Sequence, residues 1–195
     1  MSQFLSLLLD ALLASIALVP ILWLLHKKII QSKSRSLCYF ALAFYLCGVY
    51  AVVGLPNLLY VRFDLNVNLV PFAYMFSDYR TSLLNVILFM PLGFFLPFLW
   101  IFFKRIVPTI LFGFLTSLLI EVLQIFTYRA TDINDLMTNT FGTFLGWLTA
   151  RILLRLIPGI SPSEKTKELP LICGISFSVM FFLHPFLSAI YWAII

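Results

Sequence analysis

The feature that most constrains this chain is a series of long apolar runs, each of a length suited to crossing a lipid bilayer. A membrane-spanning helix needs roughly 20 consecutive and mainly apolar residues. The 195-residue sequence contains six such runs, separated by shorter polar connections. We therefore predict an all-α fold, a polytopic transmembrane helical bundle of about six spans. The predicted spans are Phe4–Leu25, Leu37–Leu55, Ser82–Phe103, Ile106–Tyr128, Leu136–Ile157 and Leu169–Ala193.

The composition excludes a water-surrounded globular protein. Hydrophobic residues make up 62% of the chain and charged residues 11%, whereas soluble domains are roughly half apolar and a quarter charged. The net charge of +5 does not indicate nucleic-acid binding, because the basic residues stand at the ends of the apolar runs. The three cysteines lie inside those runs without a CxxC pattern, so we expect them to serve in packing.

The basic residues are divided unequally between the two predicted membrane faces. Ten of the 13 Lys and Arg residues fall on one face, while Arg62, Arg80 and Arg129 fall on the other. The face richer in Lys and Arg is normally cytoplasmic. We therefore expect a multi-pass protein of the cytoplasmic membrane with both termini outside.

Polar residues follow the helical repeat in two neighbouring spans. The fourth span and the start of the fifth each carry five polar or small residues spaced three or four apart, which places each set on one helical face. A short loop joins the two spans, so they are predicted to be antiparallel neighbours with facing polar stripes. The stripes are Gly113, Ser117, Glu121, Gln124 and Tyr128, and Asp132, Asp135, Asn139, Gly142 and Gly146.

Glu121 is the most informative single residue. It lies seven residues before Tyr128, about 10 Å inside the predicted outer surface at the rise of an α-helix. An ionised carboxylate at that depth is costly unless it is neutralised or finds a partner. The functional interpretation is a general acid or base in a wet cavity. The structural alternative is a neutral side chain that bonds Gln124 or Asn139 between helices.

Further polar groups are predicted to converge at the same outer end. Asn85 enters the third span there, and Asp132 is placed to cap the fifth helix. No His lies near these acids, so we expect no zinc site, although an oxygen-only set admits Mg²⁺, Mn²⁺ or Ca²⁺ if a substrate phosphate assists. The converging groups are Asn85, Glu121, Gln124, Arg129, Asp135 and Asn139. Asp10 and His184 have no partner predicted from spacing.

Small residues and proline indicate how the helices pack. Pro91 removes a backbone donor in the third span, which predicts a kink, and we expect Pro91 and Gly93 to serve in helix packing. Gly142 and Gly146 form a GxxxG motif, which lets another helix approach closely. We expect packing within the chain, with a homodimer as the alternative.

The longest outer segment, Pro56 to Thr81, mixes apolar, amide and aromatic residues. Such a composition predicts a segment that lies along the membrane surface or folds back as a lid. Its aromatic residues are Tyr60, Phe72, Tyr74, Phe76 and Tyr79.

Four motifs in order resemble the VanZ family over about residues 66–150. They are Asn68-Leu-Val-Pro-Phe72, Asn85-Val-Ile-Leu-Phe-Met-Pro-Leu-Gly93, Glu121-Val-Leu-Gln124 with Arg-Ala-Thr-Asp-Ile-Asn-Asp135, and Asn139-Thr-Phe-Gly142. VanZ-like proteins are small bacterial membrane proteins, and the namesake is associated with low-level teicoplanin resistance. The resemblance implies a role at the cell envelope. It maps the family pattern onto Asn85, Pro91, Gly93, Glu121, Gln124, Asp132, Asp135, Asn139 and Gly142.

The predicted organisation places a VanZ-like core at residues 66–157. Two spans with their connecting loops precede it in residues 1–65, and residues 158–195 form a cytoplasmic loop and a last span.

Two functions from different classes fit these residues. In both, the protein contacts membrane lipids, and its ligand is a lipid-linked anionic envelope precursor or a glycopeptide. In the enzymatic hypothesis, Glu121 and Asp135 are catalytic, while Asn85, Gln124, Arg129, Asp132 and Asn139 bind the substrate. In the second hypothesis the same groups recognise the ligand without chemistry. A transporter ranks last, because the cytoplasmic half offers little polarity beyond Arg151 and Arg155.

Overall fold

The computed structural model describes residues 3–27, 33–73, 75, 77–157 and 162–194 of the chain. Helices dominate it, and a pair of two-residue strands is the only described sheet. A 3₁₀ turn, Ile101–Lys104, follows the third helix, and a π-helical turn, Val179–Leu183, joins the last two. The elements are α1 (Gln3–Leu25), α2 (Lys33–Val53), β1 (Val67–Asn68), α3 (Tyr79–Leu99), α4 (Ile106–Gln124), β2 (Thr131–Asp132), α5 (Ile133–Leu156), α6 (Glu168–Ser178) and α7 (His184–Ile194).

Each predicted span contains a helix, which confirms the all-α prediction. Four described helices are long and apolar enough to cross a bilayer: Arg35–Val53, Tyr79–Leu99, Ile106–Gln124 and Glu168–Ile194. α1 contributes a shorter described apolar stretch, Leu12–Leu25. α5 is also long enough to cross a bilayer, but it is not among these four helices, because its polar side chains lower its mean hydropathy.

The fourth span ends earlier than predicted. α4 stops at Gln124, where the backbone N–H groups of Phe126 and Thr127 turn back to the carbonyls of Leu123 and Gln124 at 3.0 and 2.9 Å. Tyr128 lies beyond this turn and is 75% exposed. The prediction that Tyr128 continues the polar stripe of α4 is therefore wrong, because the helix ends one turn before it.

Two compact units make up the chain. One comprises Met1–Arg62 with Lys167–Ile195, and the other comprises Phe63–Thr166. The first contains α1, α2, α6 and α7, and the second contains α3, α4, α5 and both strands. All the converging polar residues predicted above belong to the second unit.

In the first unit, a proline in the last span frees a carbonyl for a long-range hydrogen bond. Pro185 has no N–H, so it cannot bond the carbonyl of Phe181 four residues earlier. The backbone N–H of Leu58 donates to that carbonyl at 3.1 Å. The adjoining π-helical turn is closed by the His184 N–H, which donates to the Val179 carbonyl. The described cysteines, Cys38, Cys47 and Cys173, are free thiols.

In the second unit, glycines bring α3 and α5 into backbone contact. A Cβ at Gly142 would overlap the Val86 carbonyl oxygen, and one at Gly146 would overlap that of Met90. These contacts advance by four residues on both helices, so α3 and α5 run in the same direction. The GxxxG motif of α5 thus packs within the chain.

Two further glycines tighten the same bundle. A Cβ at Gly93 would overlap the Thr143 backbone, and one at Gly113 of α4 would overlap the Thr143 side chain. α3 continues through Pro91 as a single helix from Tyr79 to Leu99. The beginnings of α3 and α5 and the end of α4 consequently meet at one end of this unit.

The opposite end of the second unit is closed by the turn after α3. The backbone of Ser163 donates to the Leu99 carbonyl at 2.7 Å and accepts from the Ile101 N–H at 2.9 Å. The Trp147 indole donates to the Lys104 carbonyl at 3.3 Å. These bonds hold the α3–α4 connection against α5 and the segment that follows it.

Candidate functional site

The end of α4 is joined to the start of α5 through Glu121. This side chain is 4% exposed, and its Oε2 accepts a hydrogen bond from the backbone N–H of Asp132 at 2.8 Å. The Glu121 carbonyl accepts a second bond, from the Thr131 hydroxyl at 2.9 Å. The Oε2 atom and the backbone carbonyl of Glu121 together fix the junction between α4 and α5.

Asp132 caps α5 and is itself held on both carboxylate oxygens. Its Oδ1 accepts from the Asn134 backbone N–H at 2.8 Å and from the Asn134 amide at 2.9 Å. Its Oδ2 accepts from the Asn68 amide at 3.1 Å. The predicted capping position is thus occupied by Asp132, as the preference of Asp for a helix N-terminus leads one to expect.

A segment from Asp64 to Ala73, here called the cover segment, folds back over this junction. β1 pairs in parallel with β2, with Val67 opposite Thr131 and Asn68 opposite Asp132. The Asp64 N–H donates to the Ile125 carbonyl at 2.8 Å. The aromatic residues Tyr74 and Phe76, named in the sequence analysis, lie outside the described residues.

Asn134, which the sequence analysis did not select, fastens the end of the cover segment. It is 4% exposed. Its Oδ1 accepts from the Phe72 N–H at 2.6 Å, and its amide donates to the Ala73 carbonyl at 3.0 Å. Asn134 lies off the stripe of Asp132, Asp135 and Asn139, so helical spacing gave no reason to choose it. The sequence feature that could have identified Asn134 is an amide side chain in the first turn of a predicted helix, next to an acidic N-cap residue.

The facing polar stripes meet one turn further into the bundle. Asn139 is 3% exposed, and its amide donates to the Ser117 hydroxyl of α4 at 2.9 Å. The Asn139 Oδ1 is buried and has no hydrogen-bond partner among the described residues. The carboxylate of Glu121 therefore accepts its hydrogen bond from the Asp132 backbone. The Asn139 amide donates to Ser117 of α4 and not to Glu121.

Asp135, Asn85 and Arg129 form the more open side of the site. Asp135 is half-buried and lies within electrostatic range of Asp132 and Arg129. The Asn85 side chain interacts with the Asp135 carboxylate. Its buried amide nitrogen nevertheless falls outside full hydrogen-bond geometry with any described residue. Arg129 is exposed, and Gln124 is buried at the last residue of α4.

We use the name polar corner for this junction of α3, α4 and α5 and the groups it brings together. Within the described residues no three His, Cys, Asp or Glu side chains are grouped so as to hold a metal ion. The polar corner can contact a ligand through hydrogen bonds and through charge. Its accessible charged side chains are those of Asp135 and Arg129. Its side chains are Asn85, Glu121, Gln124, Arg129, Asp132, Asn134, Asp135 and Asn139.

Comparison with known proteins places the polar corner inside a family match. The family model described as VanZ/LLP1 matches residues 36–154. Protein VanZ of Enterococcus faecium is 42% identical over 84 residues, which are 42% of this chain and 50% of that relative. The chain therefore spans about half the length of this curated relative. No solved structure matches the chain.

Proposed function

This chain belongs to the VanZ/LLP1 family, and from that membership we propose that it recognises a lipid-linked, anionic component of the bacterial cell envelope at the polar corner. We propose further that this recognition contributes to low-level resistance to teicoplanin-type glycopeptides. In this proposal both termini lie outside the cytoplasmic membrane, as the distribution of Lys and Arg predicts. The polar corner then faces the outer leaflet, where envelope precursors are displayed.

The observation that best supports recognition is the grouping of Asn85, Asp135 and Arg129 on the more open side of the polar corner. An Asn amide carries two N–H donors, so Asn85 can interact with the Asp135 carboxylate and still offer a donor to a ligand. The Asn85 amide can donate to a phosphate oxygen, and an Arg guanidinium binds phosphate through two parallel hydrogen bonds. Together they suit an anionic head group.

The hydrogen bonds of Glu121 and Asp132 favour recognition over catalysis. Both oxygens of Asp132 are engaged in capping and in holding Asn68, and Glu121 holds the Asp132 backbone. A catalytic role would require Glu121 to exchange a proton with the ligand through Oε1. Recognition requires only that Glu121 keep the corner in shape.

Glu121→Gln separates these two modes, because Gln retains an acceptor for the Asp132 N–H but cannot exchange a proton. A strain lacking the gene is complemented with wild type, Glu121→Gln, or the control Glu164→Gln, in which an exposed acid is changed. Teicoplanin susceptibility and the envelope lipids are then measured. Recognition predicts that Glu121→Gln retains most of the resistance. Complete loss, with normal expression, would instead assign Glu121 to catalysis.

Arg129→Ala and Arg129→Lys test the anionic ligand. The first removes the charge, and the second keeps the charge without the forked donors. Recognition predicts loss of resistance in Arg129→Ala and partial retention in Arg129→Lys. Full complementation by Arg129→Ala would contradict the proposed anion site.

A further inference from the structure

The cover segment contains a turn with an unexpected residue at its tightest point. The Ala73 N–H donates to the Val70 carbonyl at 3.3 Å, which closes a four-residue turn with Pro71 second and Phe72 third. Phe72 has a φ of 62°, in the left-handed region. A type II turn requires a positive φ at its third position and therefore normally holds Gly or Asn there. A bulky side chain in this conformation is unfavourable.

Burial does not explain why Phe72 stands at this position. Its side chain is 58% exposed, so it adds little to the core. Leu69 and Val70 beside it are 69% and 62% exposed. Asn134 accepts one hydrogen bond from the Phe72 N–H and donates another to the Ala73 carbonyl, and these two bonds hold the strained backbone in place. The three apolar side chains remain exposed. We call Leu69, Val70 and Phe72 the apolar tip.

The apolar tip belongs to the end of the second unit that carries exposed tyrosines. Tyr79, the first residue of α3, is 60% exposed, and Tyr128, just after α4, is 75% exposed. Tyr is enriched where membrane helices cross the boundary between lipid and water. The apolar surface of α3 begins at the same end, with Leu83 and Leu84 at 54% and 64% exposure. The tip, the tyrosines and the first exposed apolar residues of α3 thus lie at the same end of the second unit.

We propose that the apolar tip inserts into the bilayer beside the helix ends, with its side chains among lipid acyl chains. Transfer of exposed apolar area from water to lipid is favourable and offsets the strain at Phe72. Membrane lipid, at the same level as the aromatic boundary, is the occupant of this surface. The cover segment is then anchored on one side by Asn134 and on the other by the bilayer. This proposal goes beyond recognition at the polar corner and does not depend on it.

A photo-crosslinking residue placed at position 72 tests the insertion directly. The full chain, carrying p-benzoyl-phenylalanine at 72, is reconstituted in nanodiscs of equal parts phosphatidylglycerol and phosphatidylcholine, illuminated and weighed by intact-protein mass spectrometry. Position 119, a 57% exposed Leu of α4, is the positive control, and exposed Glu164 is the negative control. The proposal predicts lipid adducts at 72 in an amount within a few-fold of those at 119, and several-fold fewer at 164.

Absence of lipid adducts at 72, when position 119 is labelled, would overturn the proposal. Adducts between two copies of the chain at 72 would also overturn it, since they would make the tip a protein interface. If the substitution at 72 prevents folding, the same residue is placed at 69, whose side chain is also exposed. The same two results decide the question there.

Discussion

The carboxylate of Glu121 accepts a hydrogen bond at 2.8 Å from the backbone N–H of Asp132, eleven residues later in the chain. The bond joins the last turn of α4 to the residue that caps α5. Because it uses the backbone of Asp132, the Asp132 side chain remains available to cap α5 and to hold Asn68. The buried acid Glu121 and the half-buried acid Asp132 therefore share a corner through a backbone hydrogen bond, and the Asp132 carboxylate bonds other residues.

Removing this acceptor should weaken the corner. Glu121→Ala leaves the Asp132 N–H without its partner, and loss of a buried partner costs about 1–3 kcal/mol. Glu121→Gln should cost less, since an amide oxygen still accepts. Thermal unfolding in detergent, with exposed Glu164→Ala as the control, measures the difference. Equal unfolding midpoints for Glu121→Ala and Glu164→Ala would show that the bond does not stabilise the fold.

Asn134 should control the order of the cover segment. Asn134→Ala removes the bonds to Phe72 and Ala73, so hydrogen exchange over residues 69–73 should rise well above that of the wild type. Thr138→Ala is the matched control, because within the described part of the chain its hydroxyl donates to carbonyls of its own helix, those of Asn134 and Asp135. Unchanged exchange in Asn134→Ala would mean that other contacts hold the segment.

The glycines of α5 give a prediction with a built-in comparison. Gly146→Ala would place a methyl group against the Met90 carbonyl, which forces α3 and α5 apart at a cost of about 1–3 kcal/mol. Gly174→Ala, in α6, meets no atom within 4 Å and should be neutral or stabilising by up to about 1 kcal/mol. The two unfolding midpoints should move in opposite directions or by clearly different amounts. A Gly146→Ala protein as stable as Gly174→Ala would refute the close packing.

The positive φ at Phe72 predicts an unusual order of stabilities. Phe72→Gly and Phe72→Ala both remove the ring, but only Gly adopts a φ of 62° without strain. The Gly variant should therefore be more stable than the Ala variant, by about 1 kcal/mol. Thermal unfolding of the pair in the same detergent checks this, and the reverse order would exclude the left-handed conformation.

Much of the fold followed from the apolar runs, because their length and separation left few alternatives. Helical spacing also placed Ser117 and Asn139 on facing stripes, and the structure joins them with a hydrogen bond. Spacing failed where a helix ended: Tyr128 belongs to the periodic pattern of α4 but lies after its last turn. A periodic pattern does not show where a chain leaves the helix when the following residues remain mainly apolar.

Asn134 and Asn68 were missed for a different reason. Their partners are remote in sequence, since Phe72 lies 62 residues from Asn134, and Asp132 lies 64 residues from Asn68. Residues so far apart meet only after the cover segment has folded back, and the composition that suggested a lid did not show which residues the lid would meet.

By itself, the sequence determined that this protein is a bundle of apolar helices with acids and amides gathered toward one end. That much follows from local physics, because lipid accepts a backbone only when its polar groups are bonded within a helix or closed barrel, and because polar side chains must share a helical face to avoid lipid. Only the tertiary structure decided which polar atoms form hydrogen bonds with one another. That choice depends on the glycine contacts that set the register of α3 on α5, and on the return of the cover segment to Asn134. It also left Leu69, Val70 and Phe72 of the apolar tip exposed.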